Sequence, residues 1–231
     1  MVQATSTSLA EEVLAAAKLQ AAIGTKYRMI YPRISYPAGD ISPKEGLCCD
    51  VVIRALRAAG IDLQELVEED LRSNRADYRG LNMGGFQQGF DKSWNHRRTA
   101  ILDRFLSRHA LALPTRFERA TASEWRPGDI VIFKRNGNET WHVALVSDNQ
   151  DPRTGEPMLI DAWMEPGRVS ETHRLGRYGA VAGHYRLPTD FRERLSGEHQ
   201  ARAREAWTGY VEANNPPQFA RVGSDAPEAE N

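Results

Sequence analysis

Two cysteines occur in this chain of 231 residues, and they are adjacent, Cys48 and Cys49. Neighbouring thiols build no disulfide framework, and a bond between them would need strained geometry. Without a C-x-x-C pair, and with the six histidines scattered, a structural zinc site has no ligand set. Two chemistries remain: a pair of small buried hydrophobes, as free cysteine commonly is, or a nucleophile. Cys48 opens the stretch LCCDVVIRALRAA, which reads as a helix over about 47–59 ended by Gly60. A thiol at a helix N-terminus meets the positive end of the dipole and unpaired N–H groups, which favour the thiolate. A neighbouring imidazole would complete a nucleophile–base pair.

Among the histidines, His142 has the most unusual setting. It lies in WHVALVSD, where Trp141, Val143 and Leu145 alternate with His142, Ala144 and Val146. A histidine inside a strand is more often a satisfied core residue than a base. A cysteine at a helix start, upstream of the strand that holds it, shifts that balance. His109, His173 and His199 sit among charged residues and read as solvated; His96 and His184 are intermediate.

The elements that must position these side chains are legible. Ser8 and Glu11 form a capping box for a helix over about 9–23 that Gly24 closes. Residues 25–46, with three prolines and two glycines, read as irregular chain. In the helix that follows, Cys48, Val51, Val52, Ala55 and Ala59 share an apolar stripe; Cys49 lies about 100° away, and Asp50 and Arg54 form an i,i+4 pair on the remaining face. Asp62 and Glu65 open a short helix, residues 74–97 form a long loop, and a helix spans about 98–109. Loops that long are commonly functional or mobile.

From Pro127-Gly128-Asp129 onward the pattern changes to short strands: IVIF, WHVALVSD and MLIDAW, with two more near 167–173 and 179–187. Helices first and an antiparallel meander afterwards predict an α+β fold. Residues 1–188 read as one domain, and 189–231 as a surface helix with a disordered acidic tail from about 213. Thirty basic residues balance thirty-one acidic ones, so no polyanion footprint marks a nucleic-acid partner. No apolar run reaches the roughly 20 residues of a membrane span. The first twenty residues lack the pattern of a signal peptide, which leaves a trimmed mature chain open.

The stretch GLCCDVVIRALRAAGIDLQELV, with YPAGD before it and NHRR after it, resembles the bacterial family known as domain of unknown function 1287. WRPGDIVIF, WHVALVSD and GHYR continue the resemblance in order, over roughly residues 10–187. That family is placed with the NlpC-type papain-like cysteine peptidases. The resemblance implies a papain-like fold, N-terminal helices packed on an antiparallel meander. It aligns Cys48 with the family cysteine and Cys49 with a position where Thr is usual. His142 aligns with the family histidine. Where the family usually has His then Asn, this chain has Asp161 and Ala162, a departure that still supplies an acceptor for an imidazole N–H. His96, Arg97 and Arg98 match a family motif, and the two arginines could clamp a substrate carboxylate.

The function so implied is a cysteine-dependent amide hydrolase, with Cys48 as nucleophile, His142 as base and Asp161 orienting the ring. Its substrate would be a peptide of bacterial cell-wall peptidoglycan, for instance at a D-glutamyl to diamino-acid bond. No cofactor and no metal enter this chemistry. By resemblance the location would be periplasmic or secreted, with the cytoplasm also open. Two other classes fit the same residues: a non-catalytic cell-wall-binding module and a cysteine-dependent acyltransferase. A metal hydrolase is disfavoured by the absence of H-E-x-x-H or clustered carboxylates in the sequence.

Overall fold

The computed structural model describes residues 7–82, 89–135 and 139–214. Among the described residues there are five α-helices and an eight-stranded sheet. Helix α1, Leu9–Ile23, opens on the Ser8–Glu11 capping box and closes on Gly24 in the left-handed region. Strands β1, Lys26–Tyr27, and β2, Glu45–Gly46, are two-residue pieces within the irregular segment. Helices α2, Cys48–Ala58, and α3, Leu63–Ser73, follow. Short 3₁₀ turns at Arg75–Tyr78 and Asn95–Arg97 lead to α4, Thr99–His109. Strand β3, Leu111–Ala112, precedes the meander β4, Ile130–Arg135, β5, Glu139–Gln150, β6, Pro157–Trp163, β7, Arg168–Thr172, and β8, Ala180–Arg186. The chain's last described element is α5, Gly197–Asn214.

The strand order is β2-β1-β7-β6-β5-β4-β8-β3, antiparallel except for the β1–β2 pair. The helices-then-meander pattern thus folds as α+β. Two apolar clusters lie on the sheet. Val143, Leu145, Ile130 and Ile132 join Val51, Val52 and Ala55 of α2 in the larger one. Ala144, Val146, Val131 and Phe133 pack with Trp125, Leu175 and Tyr178 in the other.

Helix α2 is the central element, buried from Cys48 to Arg57. A helix buried all round would normally be apolar; this one carries Asp50, Arg54 and Arg57, and each finds a partner. Arg54 binds both carboxylate oxygens of Asp40, at 2.8 and 3.0 Å, and the carbonyls of Ser42 and Glu45. Arg57 binds Asp62 and the Gly39 carbonyl. These bonds fasten the irregular 36–46 segment to the helix. The Asp50–Arg54 spacing therefore does not become a pair on the helix surface: Asp50 turns to Arg97, at 2.7 and 2.9 Å, because both side chains are buried and better partners lie on neighbouring segments. Gly46 lies close to α2: a Cβ there would stand 3.1 Å from Asp50 Cβ and 3.2 Å from Arg54, so these side chains would have to shift to admit one.

Helix α5 packs against α2 and is tied in at several points. His199 accepts the Asp62 N–H at 3.0 Å and pairs with Glu65 at 2.8 Å. The Tyr210 hydroxyl bonds Thr25 at 2.5 Å, and the Arg54 guanidinium lies 4.6 Å from the Tyr210 ring centre. The acidic tail expected beyond the helix falls, from residue 215, outside the described residues.

Candidate active site

Cys48 is the first residue of α2. The helix N-terminus is fixed from outside its own backbone: Asp50 Oδ2 accepts the Leu47 N–H at 2.8 Å, while Arg97 grips the same carboxylate. Burial opposes ionisation of Asp50, but Arg97 and Arg54 outweigh it and hold the carboxyl below the usual carboxylate range. The Arg97 guanidinium also lies 5.2 Å from the centre of the Tyr31 ring.

His142 reaches the thiol through a local irregularity of β5. Phe133 pairs with His142, but Lys134 pairs with Thr140, so Trp141 is an extra residue between them. Such a bulge bends the strand and re-aims side chains. The strict alternation expected of WHVALVSD holds for Val143 to Val146 and fails at Trp141, which packs with Phe133 and Tyr178 in the second cluster. The Thr99 hydroxyl anchors the bulge by donating to the Thr140 carbonyl at 2.7 Å.

The imidazole and the Asp161 carboxylate are both fully buried, and Nε2 meets Asp161 Oδ2 at 3.1 Å. With Nε2 so engaged, Nδ1 is the nitrogen left for Cys48. The contact is loose, since buried Nδ1 makes no regular hydrogen bond. Apo catalytic pairs often tighten only on binding substrate. The thiol of Cys48 is held well below its ordinary range by a hydrogen bond from Cys49, against the cost of burial, and by the charge of His142 and the Val143 N–H. Cys49 is pushed the other way, by the bond it gives to Cys48 and by burial. Burial works against a charged His142, yet the Cys48 thiolate and Asp161 overcome it and raise the ring to about 9. The shifts of Cys48 and His142 both run toward the charged forms of the two groups.

Aromatic rings hold the imidazole. Tyr178 lies 4.0 Å from it centre to centre, Trp163 5.2 Å and Trp141 5.5 Å. Above Cys48 opens a cleft of about 410 Å³ whose walls include Tyr31, Arg98, Trp141 and Trp163, with the exposed Met29 and Met164 at its rim.

The structure brings Cys48, His142 and Asp161 together, and it separates the three residues of the His-Arg-Arg motif. Arg98 stands in the cleft wall and donates to the Gly89 carbonyl at 2.9 Å. Arg97 also borders the cleft, but it commits two nitrogens to Asp50 and is not presented as half of a two-arginine clamp. His96 is buried away from the cleft; burial and the charge of Arg57 drive its ring down to about 3. The remaining strand histidine, His184, lies apart, between the Pro114 carbonyl and Asp129 at 2.9 Å each and beneath Trp125. There it helps to fix the Pro-Gly-Asp turn, where Gly128 has φ +86°.

Sequence reasoning missed Tyr178 and Arg174, which flank Asp161 from the loop between β7 and β8. Aromatic and cationic residues in a polar loop carry no signal of their own. It also missed Trp141 and Trp163 as walls of the cleft.

Comparison with known proteins places these residues in a family. The family model described as a domain of unknown function (DUF1287) matches residues 14–187. The uncharacterized protein YijF of Escherichia coli (strain K12) is 37% identical over 134 residues. That match covers 58% of this chain and 62% of the length of YijF. A crystal structure of an N-acetylmuramoyl-L-alanine amidase from Bacteroides uniformis ATCC 8492 aligns with 77% of this chain and 97% of its own, at 11% identity and a TM-score of 0.42. A likeness that distant says nothing about the activity of this chain.

Proposed function

The chain belongs to the DUF1287 family, and on that footing we propose that it is a cysteine-dependent amide hydrolase of the papain-like, NlpC type. The observation that carries this reading is that a thiol at a helix N-terminus, lining a cleft, neighbours a buried histidine backed by a carboxylate.

Cys48 Sγ attacks the carbonyl carbon of the scissile amide. The Cys48 and Cys49 N–H groups at the start of α2, which lack intrahelical acceptors, face the developing oxyanion. The His142 imidazolium gives its proton to the leaving amine as the C–N bond breaks, leaving a thioester on Cys48. Neutral His142 then takes a proton from water, which attacks the thioester, releases the carboxylic acid and restores the thiolate. Asp161 keeps the ring oriented and favours its charged form.

For the substrate we take a peptide of bacterial cell-wall peptidoglycan, whose stems carry carboxylates that Arg98 can bind at the cleft wall. A periplasmic or secreted location follows from that substrate. The test is mass spectrometry of purified peptidoglycan fragments incubated with the protein and with Cys48→Ala. New pairs of fragments whose masses together equal the substrate plus one water, made by the wild type alone, are the expected result. Identical spectra for the two proteins across a panel of fragments would remove the peptidoglycan assignment. If the wild type also fails to react with a thiol reagent at pH 6–7, the hydrolase assignment goes with it.

A further inference from the structure

Asp161 is buried completely, and only its Oδ2 is bonded to His142; Oδ1 makes no hydrogen bond of regular geometry. A carboxylate in that position is costly unless a cation answers it. Beside the His142 ring on Oδ2, the Oδ1 side faces Arg174, whose guanidinium stands 3.8 Å away and is itself mostly buried. Arg174 also donates to the Tyr178 hydroxyl at 2.9 Å, so the arginine and the tyrosine form one unit on the Asp161 side of the imidazole. Tyr178 lies against the His142 ring, and its backbone carbonyl accepts the Trp141 indole N–H at 3.0 Å. The loop between β7 and β8 is thereby joined to the bulge that carries His142.

We propose that Arg174 and Tyr178 are positioning residues of the catalytic base, Arg174 balancing the Asp161 charge and Tyr178 clamping the imidazole ring. This rests on the hydrolase reading, with His142 as base. The charged and titratable groups facing His142 are Cys48 from α2, Asp161 from β6, and Tyr178 with Arg174 from the loop. Arg174 tempers the pull of Asp161 on the imidazolium. Without it, His142 would hold its proton more tightly and become a weaker acid toward the leaving amine.

The sign of that effect separates it from mere support of the fold. Removing the cation, in Arg174→Met, should move the His142 titration upward by about one pH unit; removing the anion, in Asp161→Asn, should move it downward by about as much. The double variant should return close to wild type, and Arg174→Lys should rescue the single one. The titration is followed by NMR on protein carrying ¹⁵N-histidine, with the signal assigned through His142→Gln. Thermal melts identify the folded fraction, and iodoacetamide labelling of Cys48 at pH 6–7 is read in parallel. Tyr178→Ala should slow that labelling at least tenfold, with Tyr178→Phe much milder. Shifts of the same sign in both single variants, or none, would overturn the charge-balancing role. Unchanged labelling in Tyr178→Ala would overturn the clamp. A wild type that labels no faster than a free thiol would instead bring down the hydrolase reading on which both roles rest. Should Arg174→Met not fold, Arg174→Lys with a wild-type His142 titration supports the role, and Asp161→Asn with an unmoved titration refutes it.

Discussion

Replacing Arg97 with Ala strips the buried Asp50 carboxylate of its counter-charge. Both side chains are almost wholly inaccessible, at 1% and 3%, and two bonds of 2.7 and 2.9 Å join them. Breaking a buried pair by removing one partner costs about 3–5 kcal/mol, because the remaining charge stays desolvated. The Leu47 amide and the more distant Arg54 still stabilise Asp50, which points to the lower half of that range. For a domain of this size the loss corresponds to a melting temperature lowered by about 6–16 °C. Arg97→Lys keeps the charge and one bond, and should lose roughly 1–2 kcal/mol. The assay is urea unfolding followed by tryptophan fluorescence, with Asp50→Ala and the double variant closing a mutant cycle. Arg194→Ala, which breaks an exposed pair with Asp190, should leave the midpoint in place. If Arg97→Ala loses under about 1 kcal/mol, or the cycle shows no coupling, then Asp50 and Arg97 do not fix the start of α2.

The two thiols separate by substitution. Cys48→Ser should abolish hydrolysis and iodoacetamide labelling at pH 6–7, whereas Cys49→Thr, which keeps a donor for Cys48, should stay active; a live Cys48→Ser beside a dead Cys49→Ser would exchange their roles. His142→Ala should fold and lose at least about 10²-fold in turnover, and near-wild-type turnover would disqualify it as the base. The rate should also depend on pH with a known sign: His142 must be protonated to release the amine, so activity falls as pH rises through about 9, and a profile flat to pH 10 would contradict the imidazolium. Tyr210→Ala, which empties the contact between α5 and α2, should destabilise by roughly 3 kcal/mol, and an unchanged urea midpoint would mean that α5 only rests on the surface.

Much of this arrangement is written locally. The Ser8 capping box, the Gly24 stop and the Pro-Gly-Asp turn act over a few residues, so their elements appear where the sequence placed them. The stripe of Val51, Val52 and Ala55 announced the buried face of α2. The arginines were misread because partners cannot be seen from spacing. Asp50 and Arg54 look like a surface pair until the chain folds and brings Arg97 and Asp40 to them. The bulge at Trp141 was hidden too, since it depends on the register between two strands. Tyr178 and Arg174 matter only through their distance to His142 and Asp161, a purely tertiary relation.

The order in which the site's parts leave the ribosome gives that tertiary relation a consequence in time. Cys48 is made before the bulge, Asp161 and the Arg174 loop, and the helix that packs behind α2 follows all of them. Until His142 is in place, the thiol lacks the partner that helps lower its pKa. A growing chain of this protein therefore carries Cys48 without its imidazole partner until the segment through His142 has emerged. Accelerated labelling of Cys48 at neutral pH in stalled nascent chains should accordingly appear only after the segment through Arg174 has emerged.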